Sequence, residues 1–272
     1  MENTKELYLD LIKKCLTDAI YQQVAPQSWR PKLLWNRVLN KLVSLNGMQV
    51  IDPKIPIFDL NSRIEGRDWP SSAHTMIGMK RLDILQFCIE DVIKKSIPGD
   101  LIETGVWRGG AAIFMRAVLK ASGITDRLVW AADSFEGLPA PNSTIYPADA
   151  NDPHHRFPQL AVSIETVKSN FEKYGLLDDQ VQFLKGWFKD TLPTAPIERL
   201  AVLRLDGDMY ESTIDALVSL YPKLSVGGYL IVDDYSYPSC RQAILDYRKS
   251  NAITEQIVQI DWSGVYWQRT KN

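Results

Sequence analysis

The chain is predicted to be an α/β protein built on a doubly wound, mostly parallel sheet of seven strands with an antiparallel last strand. Three observations predict it. From residue 100 onward, apolar runs of strand length alternate with amphipathic stretches of helix length, the pattern of successive βαβ units. Two of the apolar runs, LAVLRLDGD and GGYLIVDD, end abruptly in aspartates, as strands do whose carboxyl ends open on a ligand crevice. The last two runs, EQIVQI and GVYWQRT, are joined through Asp261-Trp262-Ser263, which predicts a closing hairpin.

The elements follow in order. Residues 1–70 form an N-terminal helical extension, a cap or a dimer contact, ahead of the main domain at 71–272. Its first helix carries Leu7, Leu9, Leu11 and Ile12; Pro26 and Pro31 break it before a second piece around Leu33, Leu34, Val38 and Leu42. Residues 48–75, rich in proline and polar residues, read as an ordered loop. A helix starts at Met76, with Leu82, Leu85, Ile89, Val92 and Ile93 on one face, and stops at Pro98-Gly99. Strand DLIETGV, helix AAIFMRAVLKAS, strand LVWAADSF, a helix over 161–175 and strand VQFLKG come next. LAVLRLD, ESTIDALVSLYPKL, GGYLIVDD and SCRQAILDYRKS repeat the alternation. The connection over 137–159 is too long for a plain turn, and such loops are functional lids or disordered.

Bulk composition narrows the function. A net charge of −2 over 272 residues gives no reason to expect nucleic acid or an anionic membrane as partner. No window reaches the ~18 apolar residues of a membrane span. The start, MENTKELYLDLIKKCL, lacks a signal-peptide core. Cys15, Cys88 and Cys240 fit no metal-ligand spacing, which suits reduced thiols in the cytoplasm.

The chemistry is carried by acids. Asp206 and Asp208 follow one strand, and Asp233 and Asp234 another. Gathered at one sheet edge, these carboxylates would repel one another unless a proton or cation intervened, and a hard divalent ion held by oxygens meets that need. Glu103-Thr104-Gly105 opens a strand-to-helix turn without the dinucleotide G-x-G-x-x-G spacing. Glu103 suits a cationic amine better than a pyrophosphate. Asp133 ends the next strand, where an acid can accept from ribose hydroxyls or cap a helix. Together, Glu103, Gly105 and Asp133 favour an adenosyl ligand bearing an amino acid, S-adenosylmethionine. Trp187 and Phe188 could flank adenine or fill the core. His154 and His155, with Asp149 and Asp152 nearby, sit in the long loop, where they touch an acceptor or are solvated. Tyr235, Tyr237 and Trp262 could line an acceptor pocket, since aromatic faces suit sugar C–H surfaces.

The blocks DWPSSAHTMIGMKRLD, IETGVWRGG, ADSFEGLP, GWFKDTLP, LRLDGDMYEST and GGYLIVDDY resemble, in order, those of the macrocin O-methyltransferase (TylF-like) family of sugar O-methyltransferases. The resemblance implies a class I methyltransferase (Rossmann-like) fold, S-adenosylmethionine and Mg²⁺. It implies metal ligation by Asp206, Asp233 and Asp234 and a cofactor-covering segment at Thr75 and Met76; the residues themselves lead us to expect catalysis by Asp208, Asp206 and His154. Cofactor contacts are expected at Glu103, Thr104, Gly105, Asp133, Ser134, Trp187, Phe188 and Asp206. Asp208, two residues beyond Asp206, is the expected general base or else a fourth ligand, an outer-shell acid or a helix N-cap, and His154 is the alternative base. The acceptor is expected to be a sugar hydroxyl of a glycosylated natural product or glycan, and a homodimer is compatible. A metal-dependent methyltransferase of catechols or phenols, or a non-catalytic binding protein of this fold, would present the same acids, and Mn²⁺ or Ca²⁺ would be accepted by them as well.

Overall fold

The computed structural model describes residues 3–21, 38, 41–43, 59–69 and 71–271. A seven-stranded sheet runs in the order β3-β2-β1-β4-β5-β7-β6. Its strands are β1 (Asp100–Thr104), β2 (Val129–Asp133), β3 (Val181–Lys185), β4 (Leu200–Leu205), β5 (Leu224–Val232), β6 (Val258–Gln259) and β7 (Val265–Gln268). The first five pair in parallel, and β7 runs antiparallel to both β5 and β6. The expected closing hairpin is present, with its reversed strand inside the sheet and β6 at the edge. Chain direction across the sheet switches between β1 and β4, the place where a doubly wound sheet opens a crevice.

Eight α-helices are described: α1 (Thr4–Leu16), α2 (Leu60–Glu65), α3 (Met79–Lys94), α4 (Gly110–Ala121), α5 (Ile164–Lys173), α6 (Phe188–Thr191), α7 (Tyr210–Leu220) and α8 (Pro238–Ser250). Strand residues alternate between two cores. Leu101, Val202, Tyr229 and Ile231 face α3, α4 and α5, whereas Ile102, Leu203, Leu230 and Val232 face α7 and α8. Helix α4 is buried from Gly110 to Leu119, as a helix apolar on every side must be. Its far side is covered by α1, whose Leu9, Ile12 and Leu16 join the same core.

The stretch expected to be loop over 48–75 contains α2. Asp59 accepts from the N–H groups of Asn61 and Ser62, and Gly66 ends the helix at φ 62°, so both stop signals were present around a short, polar helix. The helix expected from Met76 begins at Met79. Gly78 sets that boundary, because a Cβ there would lie 2.2 Å from the Ile64 carbonyl oxygen. The helix expected over 161–175 is α5, slightly shorter. Of the second N-terminal helical piece, Leu33 and Leu34 lie outside the described residues. The long connection is ordered as three single 3₁₀ turns, Pro147–Asp149, His154–Arg156 and Pro158–Leu160.

Candidate active site

Strand register builds the site. Ala131, Glu103, Arg204 and Ile231 are aligned across β2, β1, β4 and β5. Two residues further along, on the same face, the carboxyl edge carries Asp133, Gly105, Asp206 and Asp233. Backbone bonds extend the alignment past the strand ends: Gly105 donates to the Ala132 carbonyl, Asp206 to that of Thr104, and Asp233 to that of Leu205, each at 2.9 Å. Gly105 is required in this row. Its φ is 87°, and a Cβ there would fall 1.6 Å from the Asp206 carbonyl oxygen.

The four acids expected to act together are brought together. Asp206, Asp233 and Asp234 each offer an oxygen within 4.8 Å of the others'. Asp208 sits in the left-handed region at φ 56°, strained for a non-glycine residue. It is held there by its N–H donating to Asp234 Oδ2 at 3.0 Å and by Ser239 Oγ donating to its carbonyl. Two buried arginines stand among the acids. Arg204 Nη1 donates to Glu103 Oε1 and, at 2.8 Å, to Asp206 Oδ2; its Nη2 donates to Asp233 Oδ1 at 2.6 Å. Arg81 on α3 donates through Nη1 to the other Asp233 oxygen and through Nε to Asp261 Oδ2 at 2.7 Å.

The arginines do not neutralise the cluster. Burial, then the Asp233 charge, raises Asp206 to about 6 against the pull of Arg204. Burial and Asp206 raise Asp208 to about 7. Burial and the charges of Asp208, Asp206 and Asp233 hold Asp234 well above the carboxylate range. Burial pushes Glu103 to about 8 in spite of Arg204. An all-oxygen set short of positive charge fits a hard divalent cation. Asp233 retains acceptor capacity for one, since each carboxylate oxygen has two lone pairs and a guanidinium occupies one.

Two cavities meet at the acids. The first, about 300 Å³, runs past Met76, Gly105, Asp133, Ser134, Trp187 and Phe188 to Asp206 and Asp208. Asp133 braces the glycine turn from inside, its Oδ2 accepting from Val106 N–H at 2.6 Å and its Oδ1 from Phe135 N–H at 2.7 Å. Ser134 Oγ donates to the Gly137 carbonyl. Glu103 lines the neighbouring cavity, and its Oε2 is buried without a hydrogen-bond partner, which fits a cationic amine. The Thr75–Met76 segment lies against the start of α4, where a Cβ on Gly110 would meet Thr75 Cβ at 2.5 Å. Thr104 lines neither cavity. It is buried, with Oγ1 donating to the Arg204 carbonyl.

The second cavity, about 230 Å³, shares Asp206 and Asp208 with the first and also reaches Asp233 and Asp234. Arg67, Thr75, Arg81, His154, Tyr237 and Trp262 are among its walls. The long connection folds over it. Asp149 accepts from the N–H groups of Tyr210 and Glu211 at 2.6 and 2.9 Å, supplying from a distance the cap that α7 lacks. Trp107 Nε1 ties the far end of the connection by donating to the Gln159 carbonyl. His154 thereby packs edge-on to Tyr237, ring centroids 5.5 Å apart, with Nδ1 against Asp152. His155 binds the Asp152 carbonyl and does not line either cavity. Tyr235 also lines neither, unlike Tyr237 and Trp262.

Sequence reasoning missed both arginines. Arg204 carried a signal: it is the one charged residue inside the run LAVLRL, on the same face as Asp206. Arg81 carried none, because its partners Asp233 and Asp261 lie 152 and 180 residues away.

The 3-2-1-4-5-7-6 strand order, with an acid-lined crevice at the switch point, defines a class I methyltransferase fold. The macrocin-O-methyltransferase (TylF) family model matches residues 5–269, and the chain belongs to that family. It is 52% identical over 270 residues to the 8-demethyl-8-(2,3-dimethoxy-α-L-rhamnosyl)-tetracenomycin-C 4′-O-methyltransferase of Streptomyces olivaceus, covering 99% of this chain and 95% of that one. It is 50% identical over 270 residues to the demethyldecarbamoylnovobiocin O-methyltransferase of Streptomyces niveus, covering 97% and 94%. The solved structure of the O-methyltransferase NovP matches with a TM-score of 0.84 at 49% identity, covering 98% of this chain and all of that one. No described helix is long and apolar enough to cross a membrane.

Proposed function

We propose that the protein is an S-adenosylmethionine- and divalent-cation-dependent O-methyltransferase acting on a sugar hydroxyl of a glycosylated natural product. The row Asp133, Gly105, Asp206 and Asp233 carries this reading, because it puts a cofactor slot and an acid cluster side by side along one sheet edge. The rhamnosyl acceptor in the name of the 52% identical relative supports a sugar as substrate.

In this reading S-adenosylmethionine supplies the methyl group. Glu103 Oε2 takes its ammonium, Asp133 its ribose, and Met76, Ser134, Trp187 and Phe188 enclose the adenosyl part, with Thr75 above and Thr104 supporting the turn from behind. Asp206, Asp233 and Asp234 would hold Mg²⁺, which would supply Lewis-acid activation of the acceptor hydroxyl. Asp208, whose carboxyl burial and the Asp206 charge push up to about 7 in the metal-free chain, takes the hydroxyl proton as general base. His154, held at Nδ1 by Asp152, meets the acceptor through Nε2, and Trp262 and Tyr237 lie against its ring. The two cavities, which share Asp206 and Asp208, would hold donor and acceptor next to each other, and that positioning would supply much of the acceleration.

The test is to incubate the protein with S-adenosylmethionine, Mg²⁺ and an α-L-rhamnosyl tetracenomycin, and to follow product by mass and calorimetric binding of S-adenosylhomocysteine. Gain of one methyl group, abolished by EDTA, is the expected result. Cofactor binding without transfer to any glycoside would overturn the sugar assignment. Transfer undiminished by EDTA would overturn the metal.

A further inference from the structure

We propose that Arg81 is the residue that reads the acceptor oxygen next to the reacting hydroxyl, and that it makes the site tolerant of methylation there. The inference rests on the sugar-methyltransferase reading above.

Arg81 is fixed by three contacts. Nη1 is spent on Asp233, Nε on Asp261, and the guanidinium carbon lies 5.4 Å from the centre of the Trp262 ring. Asp261 is rigid in turn: its Oδ1 accepts from the N–H groups of Ser263 and Gly264 at 2.9 and 2.7 Å. Ser263 Oγ closes the circuit by donating to the Asp233 carbonyl at 2.8 Å. Arg81 is 6% exposed and lines the second cavity, yet its Nη2 is buried without a hydrogen-bond partner. A buried donor left unpaired is costly, and a guanidinium held this firmly cannot turn to find another partner.

The other polar groups around that cavity leave a specific need. Glu103, Asp206, Asp208, Asp233 and Asp234 offer acceptors when ionised. His74 is engaged with Tyr174 at 2.7 Å and His154 with Asp152, and Arg67 is exposed at the mouth. A sugar hydroxyl donating toward the carboxylates brings with it the oxygen on the neighbouring carbon, about 3 Å away by the geometry of a vicinal pair, within hydrogen-bond reach of the same groups. In the proposed pose that second oxygen meets Arg81 Nη2, a donor of the cavity wall left without a partner, beside the acid that Arg81 already grips. A guanidinium N–H is donor-only. It therefore bonds an ether oxygen as well as a hydroxyl, whereas a carboxylate in its place would demand a hydroxyl. The chemistry points to acceptors bearing either OH or OCH₃ next to the methylated position, and against those bearing hydrogen.

The experiment uses the full-length protein with Mg²⁺ and three α-L-rhamnosyl tetracenomycins, differing only at the carbon beside the methylated one: hydroxyl, methoxy or deoxy. For the unaltered protein, kcat/KM for the first two should exceed that for the deoxy compound by roughly 10- to 100-fold, the range of a hydrogen bond to a charged group. Arg81→Lys keeps a cation for Asp233 and removes Nη2. Because Arg81 also holds Asp233 and Asp261, all three values should fall, but the hydroxy and methoxy values should fall a further 10- to 100-fold or so, the advantage they hold over the deoxy compound. A uniform fall across all three would make Arg81 a structural residue and overturn the proposal. Should Arg81→Lys fail to fold, equal rates of the unaltered protein on the deoxy and methoxy compounds overturn it alone. No transfer to any of the three, with S-adenosylhomocysteine still bound, removes the sugar reading and this inference with it.

Discussion

Arg204 Nη2 donates to Asp233 Oδ1 at 2.6 Å across two adjacent strands, and the guanidinium is 1% exposed. The same side chain reaches Glu103 on the strand opposite. One arginine thus joins Glu103, at the strand-to-helix turn, to the acid cluster beside it. Burial disfavours its charge, but Asp233, Asp206 and Glu103 together hold it protonated.

Removing that cation while leaving the acids is expected to be severe. Arg204→Met should destabilise the fold by roughly 3–5 kcal/mol, the usual cost of breaking a buried ion pair from one side. Urea denaturation at neutral pH reads it. A loss below about 1 kcal/mol would mean that the acids find water or protons without Arg204.

Proton occupancy of the cluster sets a pH dependence. Burial raises Asp206 to about 6 and Asp208 to about 7, from an ordinary value of 3.8. Between those limits the folded, metal-free chain binds more protons than the unfolded one, so these groups make stability fall as pH rises. Their contribution is complete below 3.8 and gone once the pH has passed about 7. Mg²⁺ needs the deprotonated carboxylates. The rise in Tm on replacing EDTA by Mg²⁺ should therefore grow from pH about 5.5 to about 8. Equal rises at both ends would count against the cluster as the cation site.

Much of this was legible in the chain, and what was not has a physical reason. The alternation of apolar strands and helices marked the sheet, and aspartates ending LAVLRLD and GGYLIVDD marked its working edge, because acids seldom interrupt such runs without a role. Helix α2 was missed because LNSRIE is short and polar, although Asp59 and Gly66 punctuate it. Asp149 read as one acid in a loop. Its role as a cap for α7 depends on a partner 61 residues away. Arg81 reads as an ordinary solvent-facing position of an amphipathic helix, and only the fold of the distant hairpin buries it.

The anchoring of the long connection by Asp149 can be tested on its own. Asp149→Ala removes the acceptor for the first N–H groups of α7 and should cost about 1 kcal/mol, as loss of a helix cap does. Limited proteolysis should then cut within 137–159 faster than in the unaltered protein. Binding of S-adenosylhomocysteine should weaken only slightly, since Gly137, Leu138, Pro139 and Ala140, at the start of the connection and well before Asp149 in sequence, are its part that lines the first cavity. An unchanged cleavage rate would assign the order of the loop to the Trp107–Gln159 contact instead.

Asp208→Asn separates the base from the metal ligands. Asparagine tolerates the left-handed backbone at φ 56°, so its N–H can still donate to Asp234 Oδ2 and the turn is kept. The carboxylate proposed to accept the proton is lost. Turnover should fall by roughly 10²- to 10⁴-fold, the span of a general base, while calorimetry still registers Mg²⁺ and S-adenosylhomocysteine. The acidic limb that Asp208 supplies to the pH–rate profile should disappear from the residual activity. If the variant keeps full activity and that limb, the proton goes elsewhere. His154, 5.5 Å from the Tyr237 ring on the same cavity wall, becomes the base, and His154→Gln should then cause the loss that Asp208→Asn did not.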